Sequence, residues 1–131
     1  MEFAPDPQQG PARVLIADDE PLFVENVRAL LAGDERVEVV GTATNGHDAV
    51  DLAVALDPDV TLMDISMPML DGIEATRRIR EQLPDACVLV LTGSSIAADV
   101  ERARQAGVAA FLTKDRIGTQ LVDAILEVAE R

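Results

Sequence analysis

The stretch Val14-Leu15-Ile16-Ala17-Asp18-Asp19-Glu20 runs four apolar residues directly into three acids. A short, continuous apolar run suits a strand buried on both faces, as in a parallel sheet, and the acids mark its carboxyl end. Further runs of the same kind are Val37 to Thr42, Val60 to Met63, Val88 to Leu91 and Ala109 to Leu112. Helical spacings lie between and after them. Phe23, Val27, Leu30 and Leu31 share one face, as do Ala49, Val50, Ala53 and Val54. Ile73, Thr76, Ile79 and Leu83 form a third such set, and Leu121, Ile125, Val128 and Ala129 a last one. Gly33-Asp34 stops the first helix, and the turn Asp57-Pro58-Asp59 stops the second. Asp71, with Glu74 three residues on, has the pattern of a capping box. Ser94 or Ser95 is expected to cap a fourth helix that reaches Ala106, with Gly107 as its stop. Strands alternating with helices in this way predict an α/β domain, a doubly wound parallel sheet covered on both faces.

Composition narrows the function. At 131 residues the chain has room for one domain. Residues 1–12, with Pro5, Pro7 and Pro11, are expected to form a flexible N-terminal tail, and 13–131 the domain. A hydrophobic fraction of 48% is too high for a disordered acidic chain. The net charge of −13 argues against gripping a phosphate backbone, which needs clustered cations. Three aromatics, all Phe, leave no Tyr or Trp platform for stacking bases or sugars. Cys87, the sole cysteine, is expected to be a buried thiol, which fits a reducing cytoplasm. The N-terminus does not read as a signal peptide, and no apolar stretch approaches the roughly 20 residues of a membrane span. Of the basic residues only Lys114 is a lysine. His47 reads as a surface residue, and Met63, Met67 and Met69 as core and loop packing.

The polar residues at the strand ends are mutually compatible. The first strand ends in Asp18-Asp19-Glu20, the third in Asp64, the fourth in Thr92, and the fifth near Lys114. Ligands of open α/β sheets bind at the carboxyl ends of the strands, at the switch in strand order. With order 2-1-3-4-5, Asp18, Asp19 and Asp64 converge in one crevice, and the three are expected to be buried together. Clustered carboxylates repel unless neutralised, and a hard divalent cation such as Mg2+, or Mn2+ in its place, is the natural partner. A carboxylate nucleophile, a metal, the Thr92 hydroxyl and the Lys114 ammonium together make a phosphoryl-transfer set. Glu20 suits either support of the metal or a helix start beside Pro21.

The runs Val14 to Glu20 and Pro58-Asp59-Val60-Thr61-Leu62-Met63-Asp64 are accompanied by Met67-Pro68-Met69-Leu70-Asp71-Gly72, Leu91-Thr92-Gly93, Ala106-Gly107 and Phe111-Leu112-Thr113-Lys114. With these motifs, residues 13 to 131 resemble a receiver domain of bacterial two-component response regulators. The resemblance implies a three-layer (βα)5 flavodoxin-like fold. It implies that Asp64 is the phosphoacceptor, taking its phosphoryl group from the phosphohistidine of a sensor histidine kinase. It makes Asp19 a direct metal ligand, Asp18 a ligand through water, and the Ser66 backbone carbonyl a further ligand beside Asp64. Thr92 and Lys114 would each meet a phosphoryl oxygen. Phe111 matches the switch aromatic that moves inward with Thr92. Ser66 and Ser94, two residues beyond Asp64 and Thr92, match positions that tune dephosphorylation. The signal would leave through the face of helix 4, strand 5 and helix 5, with a homodimer possible on phosphorylation. A receiver of this kind is a signalling switch that assists its own phosphorylation and not an enzyme with a separate substrate.

One departure is informative. Lys114 is followed by Asp115, where most receivers have proline, so no cis-proline is available there. The Lys-Asp pair resembles the branch whose receivers precede a helix-turn-helix DNA-binding domain. Such an output domain is expected to follow Arg131 in a longer protein, so that DNA is met only there. Three other readings are weaker. A haloacid-dehalogenase phosphatase wants an acid two residues after its nucleophile, where this chain has Ser66. A flavin-binding module wants a hydroxyl-rich first loop and aromatics. A degenerate or stand-alone receiver, acting as a protein-interaction module, would not need the complete set Asp18, Asp19, Asp64, Thr92 and Lys114.

Overall fold

A computed structural model describes residues 10–93 and 97–130. The strands are β1 (Ala12–Ala17), β2 (Val37–Ala43), β3 (Val60–Asp64), β4 (Val88–Thr92) and β5 (Ala110–Thr113). The helices are α1 (Pro21–Ala32), α2 (Gly46–Leu56), α3 (Gly72–Gln82), α4 (Ala97–Ala106) and α5 (Ile117–Ala129), with one 3-10 turn at Lys114–Arg116. All neighbouring strands pair in parallel, in the order β2-β1-β3-β4-β5. This is the three-layer, doubly wound sheet expected from the alternating runs.

Alternation along each strand divides the core in two. Leu15, Ala17, Met63, Val88 and Val90 pack with α2, α3 and α4 through Ala49, Ala53, Ile73, Ile79 and Ala103. Val14, Ile16, Leu62, Leu89 and Leu91 face the other way, onto Val27 and Leu31 of α1 and Leu121, Ile125 and Val128 of α5. The period of two in the strands and of about 3.6 in the helices makes both layers possible at once. Each fully buried Leu or Ile contributes roughly 1.5–3 kcal/mol of transfer free energy.

The caps follow local chemistry. The Asp71 carboxylate accepts the Glu74 N–H at 2.9 Å, and Asn45 does the same for Asp48 at 2.9 Å. Each such cap satisfies a helix-end donor and contributes about 1 kcal/mol. Asp57 and Gly107 adopt left-handed conformations (φ 46° and 89°) where α2 and α4 end.

Several expectations need correction. Cys87 is only partly buried, because it lies just before β4, and its Sγ lies 3.7 Å from the Asp85 carbonyl. Val54 is exposed, since the α2 stripe that reaches the sheet is carried by Ala49, Val50 and Ala53. Met69 is 76% exposed on the β3–α3 loop, where its φ of 73° turns the chain, whereas Met63 and Met67 are buried. Ser94 and Ser95, offered as caps of α4, lie outside the described residues, as do residues 1–9 of the expected tail. Ala12, expected in that tail, already pairs with Val37 in the sheet.

Candidate functional site

β1 and β3 are neighbours at the switch in strand order, with Asp18 and Asp19 directly after β1 and Asp64 closing β3. Asp18 and Asp64 are buried, at 1% and 5% exposure. Asp19 is exposed, so two acids rather than three are enclosed, with the third at the mouth. The reason is the pleat: β1 ends at Ala17, and Asp18 and Asp19 leave it in different directions. One oxygen from each of the three still lies within 4.8 Å of the others.

Lys114 enters from the end of β5. Its Nζ donates to Asp18 Oδ2 at 2.9 Å and lies 3.6 Å from Asp64 Oδ1 and 3.5 Å from Glu20 Oε1. The other Asp18 oxygen accepts the Glu20 N–H at 2.8 Å. Glu20 precedes α1 but makes no side-chain cap, and its carboxylate faces the ammonium from the solvent side. Thr92 is buried at the end of β4, beside Thr113 of β5. Phe111 pairs with Val90 and is half-buried against the core on the α4 side. Ser66 is exposed on the loop after β3, and Ser94 lies outside the described residues.

The electrostatics record the crowding. Burial, and then the charge of Asp18, push the Asp64 carboxyl from 3.8 up to about 6, with a smaller push from Asp19. Lys114 and the Ser66 backbone N–H pull it down less strongly. Burial by itself would lower the Lys114 ammonium, but the Asp18 hydrogen bond and the charges of Asp64, Asp18 and Glu20 together outweigh it. Its pKa therefore lies above the ordinary lysine value. One ammonium does not neutralise this many carboxylates. The surplus charge and the oxygen-only donor set of Asp18, Asp19 and Asp64 fit a hard divalent cation.

Two features escaped the sequence reading. The Phe23 ring centroid lies 4.1 Å from Lys114 Nζ, whereas helical spacing identified Phe23 only as a core-facing residue. Gly72 lies against β3, and its N–H donates to the Ile65 carbonyl at 2.8 Å. A Cβ at Gly72 would stand 1.9 Å from the Asp64 carbonyl oxygen. The Asp71-Gly72 pair carries a signal for the helix start, but nothing local shows what the glycine approaches.

A doubly wound sheet with an acid cluster and one lysine at its switch point defines a narrow class of protein. The sequence model of the response regulator receiver domain matches residues 14–126, and the chain belongs to that family. The transcriptional regulatory protein LnrK of Bacillus subtilis is 36% identical over 116 residues, 88% of this chain and 53% of LnrK. The signal receiver domain of NarL from Mycobacterium tuberculosis superposes with a TM-score of 0.88 at 38% identity, covering 92% of this chain and 98% of that one. The receiver domain of the sensor histidine kinase PA1611 from Pseudomonas aeruginosa, solved with magnesium coordinated in its active-site cleft, gives 0.83 at 28% identity, covering 92% and 99%. The chain spans about half the length of the curated relatives it matches. Among the described residues no helix is long and apolar enough to cross a membrane.

Proposed function

We propose that this receiver accepts a phosphoryl group on Asp64 from the phosphohistidine of a sensor histidine kinase and passes the change to an output domain. The observation that carries this is the enclosed Asp64 carboxylate, with Asp18 and Asp19 within 4.8 Å and Lys114 Nζ at 3.6 Å. At neutral pH a carboxyl that titrates near 6 is mostly ionised and able to attack. An Asp64 oxygen forms the new P–O bond while the P–N bond of the phosphohistidine breaks. The electron pair leaves with the imidazole, which takes a proton from solvent. Lys114 meets one phosphoryl oxygen and the Thr92 hydroxyl another. Asp18, Asp19 and Asp64, with the Ser66 backbone carbonyl, would hold a Mg2+ or Mn2+ ion. When bound, that ion supplies charge neutralisation for the in-line transfer.

The switch follows from the same charges. A phosphoryl group brings about −1.5 to −2 charges and three acceptor oxygens. It draws Thr92 inward, and Phe111, now half-buried, fills the space vacated; this repacks the α4–β5–α5 face. Ser66, two residues beyond Asp64, and Ser94, two residues beyond Thr92 in the sequence, tune the phosphoryl lifetime. The Lys114-Asp115 pair supports a DNA-binding output domain in a cytoplasmic signalling protein, and the surface of α4 and α5 is the proposed site of phosphorylation-linked self-association.

Acetyl phosphate with Mg2+ tests the assignment. The chain is expected to take up a base-labile, acid-stable phosphoryl label that is absent from Asp64→Asn; undiminished labelling of that variant overturns it. Lys114→Ala is expected to retain the acceptor but to lose a cation worth roughly a hundredfold or more in rate. Stopped-flow or quench-flow labelling with rates equal to the unsubstituted protein would remove Lys114 from the mechanism.

A further inference from the structure

We propose that Phe23 is a positioning residue for phosphoryl transfer: its ring face holds the Lys114 ammonium in place beside Asp64. This rests on the phosphoacceptor reading above. The ring centroid is 4.1 Å from Nζ, well inside the distance at which a cation is attracted to an aromatic face. Phe23 is anchored where Lys114 is not. It sits in the first turn of α1, just after Pro21, and packs half-buried against the core formed by β1, β3, α1 and α5. Lys114 reaches the site on a flexible four-carbon stem, and its charge can be drawn several ways. Asp18 holds Nζ at 2.9 Å, Asp64 stands at 3.6 Å, and Glu20, 69% exposed, offers a route toward solvent at 3.5 Å.

The ring contributes something the carboxylates do not. The pull of Asp18, Asp64 and Glu20 on Lys114 depends on the charge each carries, and that charge is shared or altered when a cation binds or a phosphoryl group arrives. The attraction to the ring face is independent of those events. It takes no hydrogen bond from the ammonium, so the Nζ donors stay available for a phosphoryl oxygen. It also excludes water from one flank of a side chain that is 18% exposed.

The test uses the whole chain and the fact that Lys114 is its sole lysine, so that 13C-lysine labelling yields a single set of signals. The ε-methylene protons of Lys114 are expected to be shifted upfield by the ring current and to lose that shift in Phe23→Leu. Labelling by acetyl phosphate and Mg2+ is expected to slow about three- to tenfold in Phe23→Leu, with Mg2+ affinity unchanged. Site-specific mono-, di- and trifluorophenylalanine at position 23 keep the shape but drain the ring face, and a stepwise fall in rate across the series is expected. Normal labelling with a flat fluorination series shows that the ring only fills space and overturns the positioning role by itself. Absence of labelling in the unsubstituted protein overturns the phosphoacceptor reading and this role together.

Discussion

Replacing Asp64 with asparagine is expected to stabilise the metal-free protein at pH 7, by roughly 2 kcal/mol with a ceiling near 3 kcal/mol. The sign is the reverse of the usual aspartate case. Burial and the Asp18 charge raise the folded Asp64 carboxyl to about 6, against 3.8 for the free group. The folded state therefore holds this proton more tightly than the unfolded chain does. Below about pH 3.8 both states keep it and no penalty arises. As the pH rises toward 6 the unfolded chain releases the proton first, and the ionised carboxyl destabilises the fold by an amount that is fully present above pH 6. Asparagine removes the charge and keeps the shape. Asp18 still pairs with Lys114 at 2.9 Å in the variant, so no buried ammonium is orphaned. Urea unfolding in EDTA between pH 4 and 7.5 measures this directly. The stability gap between variant and unsubstituted protein should open across that window. Added Mg2+ should stabilise the unsubstituted protein more than the variant, because the proposed metal set includes Asp64. A variant equal to or less stable than the unsubstituted protein at pH 7 would show that the acids are not in conflict.

Gly72→Ala is expected to cost about 3 kcal/mol or more, the upper range for overpacking. The new Cβ would meet the Asp64 carbonyl oxygen at 1.9 Å, its carbonyl carbon at 2.8 Å and Met63 Cγ at 2.9 Å. Two of these atoms belong to the backbone of β3, which lies in the middle of the sheet between β1 and β4 and has little room to move. Relief must come from α3, whose first turn is held by the Asp71 cap and by Thr76 Oγ1 donating to the Gly72 carbonyl at 2.8 Å. A shift of α3 strains the Gly72 N–H bond to the carbonyl of Ile65, the residue after Asp64, so lost stability should be joined by slower phosphoryl labelling. Gly118→Ala is the control, because a Cβ there meets nothing within 4 Å and alanine suits a helix. Equal stabilities of the two alanine variants in urea would refute the close approach.

Most of the architecture was legible because buried strands and amphipathic helices announce themselves by period. Val14 to Ala17 and Val60 to Met63 are apolar without interruption since helices cover both faces of the sheet. Strand order required one further rule, that crevices form at the switch point, and the acids after β1 and β3 pointed to it. The Asp71 cap was visible from the Asp71–Glu74 spacing alone. What failed was side-chain exposure at a few positions. Asp19, Met69 and Cys87 sit outside the strands and helices, where neither period applies, and Val54 lies off the α2 stripe that reaches the sheet.

The chemical identity of the site was therefore written in the chain: which carboxylates follow which strands, the hydroxyl after β4 and the sole lysine after β5. The energetics of the site were not. Lys114 is 96 residues from the Asp18 it pairs with, and Phe23 is 91 residues from Lys114 by their numbering, so neither contact has a local signature. The raised Asp64 carboxyl likewise depends on how deeply β3 is covered and how near Asp18 comes, because desolvation and Coulomb repulsion are set by distances across the sheet rather than by neighbours along the chain.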